Sequence, residues 1–226
     1  MSVQKKYKGV LFDLDGTLVD NYTAIHSCLS ATFAESGIPA PTYDKVIHSV
    51  GGSILITVKK VLAGSGDEER AEALAARYLE LFPKYVFEGL SIIPYAADIL
   101  SALKTRGLRL ACFTNKQRAG AMDVLGKLGL SEYLDAIVAT SLNSPRKPEP
   151  EFTRMGIAAL GLSAGEVVGI GDSLYDYKAA LAGGIDSAIV ATGADSRESL
   201  AAECPLSIGV YSDLKELAPK VFGITL

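Results

Sequence analysis

Residues 9–17 read GVLFDLDGT, an unbroken apolar run that ends in Asp13, Leu14, Asp15, Gly16 and Thr17. A short apolar run closed by a turn-forming Asp-Gly pair predicts a buried strand that stops at a tight turn. The run is too short for a membrane span or for the core of a signal peptide. Lys5, Lys6 and Lys8, just ahead of it, read as a solvated lead-in to the strand.

Outward from this strand the pattern changes. Over residues 22–85 apolar positions recur at helical spacing, interrupted by SGIPAPT (36–42) and AGSGD (63–67), with no strand pattern between. This predicts an insertion of four helices, residues 21–86, inside a core made of residues 1–20 and 87–226. Past Pro94 the chain alternates. Helix is expected over 95–105, strand over 108–114, helix over 120–129 and strand over 136–140. The polar, Pro-rich segment SLNSPRKPEP (141–150) then leads into a helix reaching residue 160. Strand follows over 167–170, helix over 176–182 and strand over 188–191. Asp195 and Glu198 stand at capping-box spacing before another short helix, and 207–210 reads as a last edge strand. Such alternation predicts an α/β fold, a Rossmann-like parallel sheet with helices on both faces, plus the inserted α-helical domain. Right-handed crossovers bring the carboxyl ends of the strands to one edge, where ligands bind.

Bulk properties narrow the class. A net charge of −4 carries no electrostatic footprint for nucleic acid. Three scattered cysteines (Cys28, Cys112, Cys204) form neither a disulfide framework nor a zinc set, and read as free thiols in a reducing cytoplasm.

The predicted strand ends carry polar groups: Asp13 and Asp15 after the first, Thr114 and Asn115 after the second, Lys147 in the loop after the third, Asp172 and Asp176 after the fourth. Taken singly, each has a plain reading as a turn, an exposed lysine or a helix cap. Together they have the composition needed to cleave a phosphate monoester, whose barrier must fall by more than about 20 kcal/mol. Asp13 and Asp172, with the carbonyl of Asp15, suit a Mg2+ ion. Lys147 adds positive charge, while Thr114 and the amide of Leu14 offer donors to phosphoryl oxygens. Asp13 can then attack phosphorus, with Asp15 as the acid/base and Asp176 orienting its neighbours.

These residues resemble the haloacid dehalogenase superfamily, specifically its phosphatases with a helical cap inserted after the first strand. The likeness rests on residues 13–20 (DLDGTLVD), 112–115 (CFTN), 147–150 (KPEP) and 171–176 (GDSLYD). It implies Asp13 as nucleophile, Asp15 as acid/base, Thr114, Asn115 and Lys147 as phosphate binders, and Asp172 as a metal ligand. Dehalogenases lack a carboxylate two residues after the nucleophile, so Asp15 favours phosphate esters. Thr114-Asn115-Lys116 looks like the corresponding segment of phosphoglycolate phosphatases. The insertion would then be a cap, with Gly51 and Gly52 in a loop that approaches the substrate or simply turns between helices. Lys116 reads as an exposed lysine at a helix start, with binding of the phosphate or of a substrate acid as the alternative, and His26 and His48 read as structural residues. The expected partner is a small phosphorylated metabolite, with no nucleic acid and no membrane, for a monomer or homodimer. A sugar phosphomutase and a non-catalytic phosphate-binding module remain as alternatives.

Overall fold

Gly9–Phe12 forms β1, every residue of it buried. It pairs in parallel on one side with Arg109–Gln117 (β4) and on the other with Val167–Gly171 (β6). Ala136–Thr140 (β5) extends the sheet beyond β4, while Asp186–Val190 (β7) and Gly209–Tyr211 (β8) extend it beyond β6. The order is β5-β4-β1-β6-β7-β8, so the chain runs outward from β1 to one edge and then returns to build the other. Crevices beside such a central strand, at the carboxyl ends, are where α/β sheets bind ligands. In this computed structural model residues 7–141 and 144–226 are described, and Lys5, Lys6, Leu142 and Asn143 lie outside the described residues.

The sheet is buried because helices cover it. Pro150–Leu160 (α7) and Leu174–Gly183 (α8) supply Phe152, Ile157, Leu160, Ala179 and Ala180 to a cluster with Leu11, Phe113, Val138 and Val167. Phe113 and Phe152 stack there with ring centroids 4.7 Å apart. Ala96–Thr105 (α5) packs on β4, and Leu214–Phe222 (α10) packs on α5, β7 and β8. Arg118–Lys127 (α6) lies against β4 and β5, and Arg197–Glu203 (α9) against β8.

The residues 20–91 between β1 and α5 form a unit of their own, Asp20–Ser91, while the chain on either side, up to Val19 and from Ile92, forms the other. The insertion holds Tyr22–Glu35 (α1), Tyr43–Ile47 (α2), Ile54–Leu62 (α3) and Ala71–Leu81 (α4). Its core is Leu29, Phe33, Val58, Leu62, Leu74 and Tyr78, all buried. Thr42 and Ser53 cap α2 and α3 through their hydroxyls, and Gly51, at φ +113°, turns the chain between them. His26 lies 3.1 Å from the Pro41 carbonyl and edge-on to Tyr43, a packing role. Short paired strands Val19–Asp20 (β2) and Ser91–Ile92 (β3) mark where the chain passes from one unit to the other.

Three features depart from the sequence reading. The helix α10 is absent from it, although Asp213 caps the Glu216 amide and Leu214, Leu217, Ala218 and Val221 make a buried stripe. Pro219, inside this helix, masks the pattern because proline ordinarily ends one. The cap of α9 is Ser196, which accepts from Ser199, rather than Asp195. The strand β4 runs on through Lys116 and Gln117 after an irregularity in its pairing with β5.

Candidate active site

The chain turns sharply after Asp13, whose amide still bonds the Ile170 carbonyl and so extends the β1 ladder. Gly16, at φ +89°, permits the turn, and the Leu14 carbonyl accepts from the amides of Thr17, Leu18 and Val19. This winding leaves the Leu14 amide facing the Asp13 carboxylate, to which it donates. The Thr17 hydroxyl donates to Asp172 Oδ1 at 2.8 Å, joining the loop after β1 to the one after β6.

Lys147 is the hub. Its side chain is 1% exposed, and its ammonium donates to Asp13 Oδ1 at 2.7 Å and to Asp176 Oδ1 at 2.6 Å. The Phe113 ring lies 5.3 Å below it. Burial works to lower the Lys147 pKa, but the two carboxylates outweigh it and hold it above that of an ordinary lysine. Asn115 fixes the backbone of this lysine from both directions. Its side-chain oxygen accepts the Lys147 amide at 2.8 Å and its NH2 donates to the Lys147 carbonyl at 3.2 Å. Thr140 in turn donates to the carbonyls of Asn115 and Lys116, tying the end of β5 to the tip of β4.

The carboxylates divide into two kinds. Asp176 is committed: Oδ1 takes Lys147, and Oδ2 takes both the amide and the hydroxyl of Ser173 in a capping box that starts α8. Asp13 and Asp172 are less satisfied. Burial raises the pKa of Asp13 and Asp176 pushes it further, against the pull of Lys147. Burial likewise raises Asp172, with Asp13 and Asp176 adding to it. Oxygens of Asp13, Asp172 and Asp176 lie within 4.8 Å of one another, and all three residues are buried. Three buried carboxylates around one ammonium are short of positive charge, and a hard divalent cation taking carboxylate oxygens fits that deficit.

Lys116 stands differently from the exposed lysine read in the sequence. Its side chain is 8% exposed, and the ammonium meets both oxygens of Asp15 at 3.1 Å. Thr114 is buried beside it, with its hydroxyl accepting the Lys116 amide. The core unit thus brings Asp13, Leu14, Asp15, Thr114, Asn115, Lys147, Asp172 and Asp176 to one edge. Gly51 and Gly52 belong to the inserted unit.

Two contributions have no counterpart in the sequence reading. One is Thr17, directly after the Asp-Gly turn, a place where a hydroxyl donor was legible in principle. The other is the turn after β7, where Thr192 donates to the Gly16 carbonyl at 2.6 Å and Gly193 packs on Asp172. Gly193 after an apolar run marks a turn there, but nothing local shows that the turn reaches Asp172. All three cysteines are buried free thiols.

Residues 10–190 match the model of the haloacid dehalogenase-like hydrolases. A phosphoglycolate phosphatase of Cupriavidus necator is 36% identical over 188 residues, 81% of this chain and 80% of its own length. That of Rhodospirillum rubrum is 32% identical over 217 residues, 93% of this chain and 89% of its own. The crystal structure of a predicted phosphatase from Clostridium acetobutylicum superposes with a TM-score of 0.86 at 27% identity, covering 97% of this chain and all of that one. The chain therefore belongs to the haloacid dehalogenase-like hydrolases and, within them, to the phosphatases.

Proposed function

We propose that the chain hydrolyses small phosphate monoesters, 2-phosphoglycolate first among them, by way of a phosphoaspartyl intermediate on Asp13. The observation that carries this reading is the buried ammonium of Lys147 held between Asp13 and Asp176, with Asp172 alongside. The substrate class is taken from the named relatives, whose likeness runs along most of the chain.

Asp13, Asp172 and the backbone carbonyl of Asp15 would hold a Mg2+ ion. When bound, it supplies positive charge that lets an anionic carboxylate meet an anionic phosphate. Lys147 brings the second positive charge, and Asp176 and Asn115 keep it in place. The Thr114 hydroxyl and the Leu14 amide hold phosphoryl oxygens as charge builds on them. An Asp13 oxygen attacks phosphorus, so that a carboxylate O–P bond forms as the ester O–P bond breaks. Asp15, entering the step protonated, gives its proton to the departing alkoxide, and the Lys116 ammonium beside it meets the carboxylate that is left. Asp15 then takes a proton from the water that attacks the phosphoaspartate, releasing inorganic phosphate and restoring Asp13. Substrate choice falls, in this reading, to the inserted helical unit with Gly51 and Gly52. Among the described residues no helix is long and apolar enough to cross a membrane, and the reading places the enzyme in the cytoplasm.

The test is phosphate release from a panel of monoesters that includes phosphoglycolate and an aryl phosphate. Wild type is run with Mg2+ and with chelator, beside Asp13→Asn and Asp15→Asn. Release by wild type alone, lost on chelation, is expected. Full activity in Asp13→Asn would remove the nucleophile assignment.

A further inference from the structure

The turn after β7 gives the site a fifth strand end, and we propose that Gly193 in it is a positioning residue that sets the carboxylate of Asp172. The case is steric. A Cβ built on Gly193 would stand 1.9 Å from Asp172 Oδ2, 2.8 Å from its Cγ and 3.1 Å from its Cβ. No side chain of any kind fits there while Asp172 keeps its place. Gly193 is not among the residues of positive φ, so an L-residue could adopt its backbone. The demand for glycine comes from the Asp172 side chain and not from the chain's own geometry.

The wall is anchored. Its neighbour Thr192 donates to the Gly16 carbonyl at 2.6 Å, which ties the turn to the same loop that supplies Thr17. Thr17 holds Asp172 Oδ1 at 2.8 Å, so one oxygen of the carboxylate is fixed by a donor and the other is backed by the Gly193 backbone. Two like charges, Asp13 and Asp176, lie within the same 4.8 Å cluster and repel it. The Thr17 bond and the Gly193 wall together restrict where this short side chain can turn. The role rests on the proposed metal reading only for what Asp172 does once it is held; the steric part is independent of it.

The experiment is a double-mutant cycle on the full chain: wild type, Gly193→Ala, Asp172→Ala and the double variant, each measured for thermal stability in chelator and for Mg2+ binding by calorimetry. Gly193→Ala alone is expected to lower Tm by about 5 °C, as overpacking does. In the Asp172→Ala background the same change should cost less than a third as much, since its steric partner is gone. Mg2+ affinity of Gly193→Ala should fall by about 10- to 100-fold, the range for losing a group that orients a ligand. Equal cost in both backgrounds would overturn the steric link, and Mg2+ affinity within about twofold of wild type would overturn the positioning role. Wild type that binds no Mg2+ would refute the metal reading and with it the positioning of a ligand, while the stability cycle would still decide the steric link.

Discussion

Replacing Lys147 by Met removes one ammonium and keeps most of the stem that packs beside Phe113. The charge it deletes serves Asp13 at 2.7 Å and Asp176 at 2.6 Å, and the side chain is 1% exposed, so water cannot step in. Breaking a buried pair by removing one partner costs about 3–5 kcal/mol, because the remaining charge is left uncompensated. In a unit of this size each kcal/mol moves Tm by about 2–4 °C, so a fall of roughly 6–20 °C is expected. The assay is calorimetric melting in chelator, so that no cation substitutes for the lysine. A second variant separates electrostatics from packing. In Lys147→Met with Asp176→Asn one of the two stranded carboxylates is neutral, yet an oxygen remains for the Ser173 cap. The double variant should therefore melt above Lys147→Met. A Lys147→Met protein that melts within a degree of wild type, or a double variant less stable than either single, would refute the reasoning.

Asn115→Ala opens the two-way clasp on the Lys147 backbone, and phosphate release should fall at least tenfold, with a stability loss of about 1–3 kcal/mol by denaturant melting. Asp135 is held below the usual carboxylate range: burial opposes this, but the Leu110 amide and Lys104 outweigh it. Its contribution is thus present at neutral pH and lost as pH falls through the lowered value. The stability gap between wild type and Asp135→Asn should close in acid, which urea melts across pH will show. Asp213→Ala removes the cap of α10 and should cost about 1 kcal/mol, read as a small fall in Tm with activity retained.

The architecture was legible where chemistry and periodicity agree. Residues 136–140 appear as strand in both the reading and the structure, because an apolar run between turn residues has few other uses. The helix α10 was hidden since Pro219 speaks locally against helix, while the buried stripe of Leu214, Leu217 and Val221 speaks for it and prevails through packing. Lys116 was read as exposed because lysines generally are. Its burial depends on Asp15, a partner 101 residues away that no local pattern reveals. Asn115 and Gly193 share that difficulty. Each acts through a residue distant in sequence, so their residue types were visible while their partners were not.

The placement of β1 has a consequence for how the molecule comes into being. The strand bearing Asp13 is synthesised well before its ladder partners, residues 109–112 and 167–170. Closing such long loops is slow, and it delays the centre of the sheet until β6 has emerged from the ribosome. Asp13 and Asp172 therefore meet late, after Lys147 has been made, so the like charges gather only when their counter-charge is at hand. A chain cut short before β6 would leave one side of β1 without its ladder partner, a species suited to aggregation or chaperone capture.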